Sequence, residues 1–250
     1  MLNKIIENKR KEVEIIKRKF PLLSFKHRLD NSDRDFKRAL AKNRLSLIAE
    51  FKRNSPSKNI TSNHSDLKNI IKTYDKYADA VSVLTDNKFF SGSLDDMKQA
   101  SGLTLLPVLR KDFIIDEYQI YESRSYNADA ILLIASILSK EQIDNFIEIA
   151  GKYNMSCLVE AHTEEELDKV LKSKAEIIGI NNRNLQTLEI DLNTTLRMAG
   201  RVPKDKLIVS ESGISSNEYV RHISGKVNAM LVGTLFMNSK NVEKEIMQLI

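Results

Sequence analysis

The sequence predicts a closed α/β barrel of eight strand–helix units behind a helical extension, and three observations lead there. From Leu45 onward, short apolar runs alternate with longer polar segments of helical period. The run ends recur about every 22 to 32 residues, the length of one strand–helix unit joined by short loops. Eight such units fit in roughly 200 residues, close to the size of a (β/α)8 TIM barrel. An open doubly wound sheet is the competing fold, but it commonly carries a Gly-rich dinucleotide fingerprint after its first strand, and none stands here.

The extension comes first. Residues 3–19 read as a helix from the partial helical spacing of Ile5, Ile6, Val13 and Ile16, with Pro21 supporting a stop. A second helical stretch runs from Asp33 to Ala41. The organisation expected is one domain, 1–250, with 1–44 as extension and 45–250 as barrel body. The extension could instead lie on a membrane surface, although its apolar face is weak for that. The predicted strands are Leu47–Lys52, Ala80–Leu84, Leu105–Lys111, Ala130–Ile134, Ser156–Glu160, Ile177–Asn181, Leu207–Glu211 and Ala229–Gly233. Helical segments between them include Asp66–Tyr77, Asp116–Tyr126, Lys140–Lys152, Glu164–Leu171, Leu192–Ala199 and Ser216–Ile223.

Composition narrows the class. Of 250 residues, 42% are apolar and 29% charged, as in ordinary globular domains. No apolar run approaches the roughly 18 residues of a membrane span, and Met1–Glu7 has no apolar core for a secretory signal. A cytoplasmic location is the default expectation. Cys157 is the single cysteine, which excludes an intrachain disulfide and any cysteine cluster. It reads as a small core hydrophobe, with a nucleophile as the distant alternative. His27, His64, His162 and His222 lack paired metal-ligand spacing. His162 stands out by lying two residues beyond Glu160, yet a structural or solvated role is the simpler reading for all four. The net charge of +5 is concentrated in residues 1–44, with 14 Lys and Arg against 6 acids, leaving 25 against 28 in the body. Without zinc-finger or aromatic-stacking signatures, that excess reads as a solvated helical face rather than a nucleic-acid surface.

Barrels of this class carry their chemistry at the C-terminal strand ends. Strand alternation puts Ile48, Glu50 and Lys52 on one face, Leu109 with Lys111, Leu158 with Glu160, Gly179 with Asn181 and Arg183, and Val209 with Glu211. Three cations and three carboxylates would then share one mouth. One buried ion pair is often structural, but six such groups at one level are costly to desolvate without a use. Ser212-Gly213-Ile214 and Gly233-Thr234 follow the last two strands, where glycine-permitted backbone amides can hold phosphate; plain turns use the same residues. The residues alone therefore suggest cofactor-free, metal-free acid–base chemistry on a phosphorylated small molecule.

Six motifs carry a resemblance: Glu50-Phe51-Lys52-Arg53-Asn54-Ser55-Pro56-Ser57, Leu84-Thr85-Asp86 with Phe89-Phe90-Ser91-Gly92-Ser93, Arg110-Lys111-Asp112-Phe113-Ile114, Leu158-Val159-Glu160-Ala161-His162, Gly179-Ile180-Asn181-Asn182-Arg183-Asn184-Leu185 and Ser210-Glu211-Ser212-Gly213-Ile214. Together they closely resemble the indole-3-glycerol phosphate synthase family, in order along nearly the whole chain. The resemblance implies ring closure of 1-(2-carboxyphenylamino)-1-deoxyribulose 5-phosphate with loss of carbon dioxide and water, a step of tryptophan biosynthesis. By that analogy Lys111 is the general acid and Glu160 the base assisting water loss. Lys52 holds the substrate carboxylate or phosphate and shares proton transfer, and Glu50 orients the lysines. Asn181, Arg183, Glu211, Ser212 and Ser55 position substrate, and Gly213, Gly233 and Thr234 surround its phosphate. Leu84, Phe90, Phe113 and Leu132 form an apolar wall for the anthranilate ring, and the N-terminal helix covers the mouth. Two positions depart from the family pattern: Asn59, where Gly is frequent, and Gly233-Thr234-Leu235-Phe236, where Gly-Ser-Ser or Gly-Glu-Ser is commoner. The partner expected is the phosphorylated anthranilate–ribulose conjugate, with no cofactor, metal, nucleic acid or membrane, acting on a monomer. An isomerase of a ribosylated anthranilate and a non-catalytic nucleic-acid binder are the competing readings.

Overall fold

The computed structural model describes residues 1–55, 66–185 and 187–250. In chain order the extension holds α1 (Leu2–Lys19), two short 3-10 turns and α2 (Phe36–Leu40). The body then runs β1 (Ser46–Phe51), α3 (Leu67–Tyr77), β2 (Ala80–Leu84), α4 (Asn87–Phe90), α5 (Leu94–Ser101), β3 (Val108–Lys111), α6 (Glu117–Ser125), β4 (Ala130–Ile134) and α7 (Lys140–Gly151). It continues with β5 (Ser156–Ala161), α8 (Glu164–Leu171), β6 (Ile177–Asn181), α9 (Asn193–Ala199), β7 (Leu207–Glu211), α10 (Asn217–Ile223), β8 (Ala229–Val232), α11 (Thr234–Asn238) and α12 (Val242–Leu249). Each strand pairs in parallel with the next, and β8 closes onto β1. The (β/α)8 barrel read from the sequence is therefore the fold.

Local chemistry explains the boundaries. Polar caps start the helices: Asp35, Asp66, Asp86, Ser93, Thr163, Ser216 and Asn241 each accept a backbone N–H of the first turn, and Asp116 with Gln119 and Ser139 with Gln142 form capping boxes. The second extension helix is accordingly shorter than the expected 33–41, because Asp35 caps it and the preceding residues stay outside. β3 begins at Val108 rather than Leu105, since Pro107 has no N–H for a ladder and Leu105 stands in solvent. Sequence periodicity missed α4, α5, α11 and α12. The first and third are too short to show a period, and α5 begins directly behind the turn residues Ser91-Gly92-Ser93.

Alternation along the strands divides the apolar residues into two cores. Outward-facing Leu47, Val81, Val108, Ile131, Val159, Ile178 and Met230 pack under the helices, together with the buried Cys157. Inward-facing Ile48, Leu109, Leu132, Leu158, Val209 and Leu231 fill the barrel. The extension closes both ends of that inner core. Phe36 and Leu40 of α2 are fully buried beneath the strand starts, where Ser46 Oγ bonds the Leu40 carbonyl. At the other end Ile5 of α1 joins the same cluster as Phe113. Lys9 is only 4% exposed and ties α1 down, 2.8 Å from Asp86 and 2.9 Å from Asp112. Asp112 also receives Arg110 at 3.0 Å and the Thr85 hydroxyl at 2.6 Å.

Much of the basic excess is spent locally. Lys17 pairs with Asp116, Lys37 with Glu176, Arg34 with Asp129, and Lys42 and Arg44 with Asp79, whose carboxylate also caps the Leu47 amide. Among the described residues, no helix is long and apolar enough to cross a membrane. His64 and the Asn59 departure lie outside the described residues.

Because Phe36 seals the floor, Phe36→Ala should destabilise the fold by about 3–5 kcal/mol through lost burial and an unfilled cavity. Urea unfolding measures it, and a cost below about 1 kcal/mol would show that the floor can collapse around the gap.

Candidate active site

A cavity of about 1110 Å³, counting its open mouth, lies at the C-terminal ends of the strands under α1. Glu50, Lys52, Ser55, Leu84, Phe90, Lys111, Phe113, Leu132, Glu160, Asn181, Arg183, Glu211, Ser212, Gly233 and Thr234 all line it. Of the site residues expected from sequence, Gly213 alone is absent from the lining. It takes φ +81° behind the lip, with Ile190 and Leu192 packed where a side chain would point, so its visible role is the turn after β7. Ser212, also left-handed at φ +67°, does face the cavity.

The strand register explains the convergence. Lys111 pairs with Leu84, Glu160 with Ile134 and Gly179, and Asn181 with Glu211, so each of these polar residues stands at or next to the C-terminal end of its strand. Lys111 Nζ lies 2.9 Å from Glu160 Oε2 and 2.6 Å from Glu211 Oε2. Lys52 Nζ bonds Glu50 Oε1 at 2.7 Å. Glu50 thus holds Lys52 directly, whereas Lys111 is held by the other two carboxylates. Two glycines leave room for these acids: a Cβ on Gly179 would collide with Glu211 Oε1, and one on Gly233 with Glu50. Gly233 consequently has a packing reason of its own. Arg183 donates to the Leu188 carbonyl at 3.0 Å, and its backbone N–H bonds Asn181 Oδ1 at 2.9 Å.

One lysine between two buried carboxylates leaves an excess negative charge, and the surroundings decide which acid bears the cost. His162 Nε2 stands 3.0 Å from Glu160 Oε1, giving Glu160 a second cationic neighbour. Burial opposes ionisation of Glu160, but Lys111 and then His162 hold its carboxyl well below the usual range. Glu211 has no such second partner. Its Oε1 is buried without a hydrogen-bond partner among the described residues, and burial together with repulsion from Glu160 pushes it up to about 8 despite Lys111. Lys111 is desolvated yet raised by Glu160 and Glu211, and stays charged. The pair of acids therefore splits into an ionised and a neutral member, as catalytic acid–base pairs do.

Part of the lining is apolar. Phe90 and Phe113 stack at 6.3 Å between centroids, tilted by 35°, beside Leu84 and Leu132. Sequence reasoning missed several lining residues: Met1 ahead of α1, Leu2 and Ile5 from α1, Ile134, Leu185, Leu188, Ile214, Leu231 and Leu235. Ile134 and Leu231 were legible as further members of the inward rows of β4 and β8; the α1 residues were not, because nothing in their spacing says which element the helix faces. Among the described residues, no group of three or more His, Cys, Asp and Glu is arranged to hold a metal.

The neutral state of Glu211 has a stability signature. Its ordinary value near 4.5 is raised to about 8 in the folded chain. Both states are protonated at low pH, and between these values only the unfolded state ionises, so ionisation progressively favours unfolding as pH rises through this window. Glu211→Gln should therefore gain stability relative to the parent as pH rises from about 4.5 to 8. Denaturant titrations across that range test this, and a pH-independent difference would contradict the raised carboxyl.

The family model for indole-3-glycerol phosphate synthase matches residues 2–249. An indole-3-glycerol phosphate synthase of Caldanaerobacter subterraneus subsp. tengcongensis is 50% identical over 205 residues, covering 81% of this chain and 80% of the relative. A tryptophan biosynthesis protein TrpCF of Buchnera aphidicola is 43% identical over 249 residues, covering 100% of this chain and 55% of the relative, so the chain spans about half the length of that protein. The crystal structure of KGPDC from Streptococcus mutans shares the fold, with a TM-score of 0.61 at 14% identity, covering 82% of this chain and 95% of that one. With barrel, cavity and sequence match in agreement, the chain belongs to the indole-3-glycerol phosphate synthase family.

Proposed function

We propose that this chain converts 1-(2-carboxyphenylamino)-1-deoxyribulose 5-phosphate into indole-3-glycerol phosphate, carbon dioxide and water in tryptophan biosynthesis, and does so as a monomer in the cytoplasm. The observation that carries the reading is the charged Lys111 fixed between Glu160 and Glu211 in a cavity that also has an apolar lining. That arrangement sets a proton donor and a proton acceptor beside a surface suited to an aromatic ring.

The aryl ring lies against Phe90, Phe113, Leu84 and Leu132, and the phosphate sits at the lip formed by Ser212, Gly233 and Thr234, with Gly213 shaping the turn behind them. Holding the two ends folds the sugar chain so that the ring carbon bearing the carboxylate approaches the ketone carbon. As that carbon–carbon bond forms, Lys111 protonates the ketone oxygen, which becomes a hydroxyl. The carboxylate then leaves as carbon dioxide, and its bonding electrons restore the aromatic ring. In the last step the hydroxyl departs as water after taking a second proton from Lys111, which has meanwhile regained one from solvent by way of Lys52, so that the two lysines share the transfer. Glu160 removes a proton from the carbon beside the nitrogen to complete the indole. Both proton-transfer groups belong to the chain itself, so the proposed reaction calls for no cofactor. Asn181, Arg183 and Ser55 position the substrate, and Lys52, held by Glu50, meets its carboxylate.

Supplying the substrate and following the rise of indole fluorescence tests the proposal. Turnover should proceed without added metal or nucleotide, and Lys111→Ala should lower kcat by about 10²–10⁴. Normal turnover in that variant would reject the assigned acid, and absence of turnover in the parent would reject the function. Truncating the wall should act on rate as well as affinity: Phe113→Ala is expected to lower kcat and raise KM, each by about tenfold, whereas a change in KM alone would assign the ring to binding only.

A further inference from the structure

His162 has no part in the proton transfers or substrate contacts above, although it is one of the more constrained side chains near the mouth. It follows β5 by one residue and keeps to the inward side of Glu160, with its side chain only 6% exposed. Both ring nitrogens lie beside carboxylates: Nδ1 hydrogen-bonds Glu166 Oε2 at 3.0 Å, while Nε2 stands 3.0 Å from Glu160 Oε1 in an ion-pair contact without hydrogen-bond geometry. Its backbone N–H also bonds Glu166 Oε2, at 2.7 Å, so the first turn of α8 fixes both ring and main chain. The charged groups around it are Glu160 on β5 and Glu166 on α8, with Lys111 of β3 and Glu211 of β7 beyond Glu160.

Resting on the proposed reaction, we infer that His162 is a positioning residue for that chemistry, an imidazolium clamped between Glu166 and Glu160 that keeps the Glu160 carboxylate ionised and its Oε2 turned toward Lys111. The two oxygens of Glu160 are divided between two cations, Oε1 to the imidazole outside the cavity lining and Oε2 to the lysine within it. A carboxylate drawn to a cation at one oxygen is biased to turn the other toward the second cation, which helps a base meet a carbon-bound proton. Two carboxylates on one imidazole favour its charged form, and the ring is raised to about 9 against the effect of its burial. The clamp also accounts for the division of labour between Glu160 and Glu211: both touch Lys111, but His162 reaches only Glu160. Without it the two acids would compete for one cation on more equal terms.

Three variants separate this role from simple packing. His162→Leu keeps bulk but removes both contacts, His162→Gln keeps a donor near the Nε2 position without charge, and Glu166→Gln weakens the clamp from behind. In His162→Leu kcat should fall about tenfold with KM nearly unchanged, and the acid limb of the kcat profile should move to higher pH, because Glu160 then protonates more readily. His162→Gln should recover much of the kcat while leaving the acid limb displaced, and Glu166→Gln should displace it in the same direction. In the parent protein, ¹⁵N chemical shifts of the His162 ring should report a doubly protonated imidazole at pH 7. An acid limb and kcat unchanged in His162→Leu, or a neutral ring at pH 7, would overturn the inference while leaving parent turnover, and hence the proposed reaction, intact. Should His162→Leu fail to fold, an unshifted acid limb in both His162→Gln and Glu166→Gln would overturn it equally.

Discussion

A single ammonium group held between two buried carboxylates, Lys111 between Glu160 and Glu211, constrains everything around the mouth of this barrel. Deleting one partner of such a buried arrangement generally costs about 3–5 kcal/mol, because the remaining charge has lost its solvent and its counter-ion together. The fold accommodates the excess acid by giving Glu160 a second cation and leaving Glu211 as the group that stays protonated to higher pH. Charge balance at the site is thus distributed over β3, β5, β7 and the start of α8, which no single strand–helix unit could supply.

The barrel makes that distribution possible at little local cost. Parallel pairing points every strand's C-terminal end the same way, and closure turns a row into a ring. Small residues matter here as much as charged ones, since Gly179 and Gly233 leave the space that the Glu211 and Glu50 carboxylates occupy. The extension completes the enclosure from both sides. Phe36 and Leu40 stop the floor, while Lys9, bonded to the Asp86 and Asp112 that follow β2 and β3, brings Leu2 and Ile5 over the cavity. Asp112 is adjacent to Lys111, so the anchor of the covering helix and the central lysine leave the barrel on the same segment of chain. Covering such a site excludes water and strengthens the electrostatics within it.

The sequence was most readable where one rule acted alone. β2, β4, β6 and β7 fall at the predicted bounds, because apolar runs between turn residues admit little else. Alternation was enough to send Glu50, Lys111, Glu160 and Glu211 inward. What alternation could not give was the pairing: that Glu50 would hold Lys52 and leave Lys111 to Glu160 and Glu211 depends on which strands neighbour across the mouth. The role of Lys9 was hidden for a related reason, since a lysine among many on a polar helix looks solvated until the helix is docked. His162 showed only its spacing from Glu160, and its second partner, Glu166, became visible once α8 was placed. The glycine at 213 carries a turn whose need is conformational, and a motif match cannot separate that from ligand contact.

In the proposed reaction, substrate lies with its reacting ketone at Lys111 and its phosphate at the ends of β7 and β8. A crystal structure with an unreactive analogue in which the ketone is reduced to an alcohol tests it most directly. The account predicts that alcohol within hydrogen-bond distance of Lys111 Nζ, the aryl ring on Phe90 and Phe113, and the phosphate against Gly233 and Thr234. An analogue bound with its phosphate elsewhere, or with the alcohol out of reach of Lys111, would contradict it.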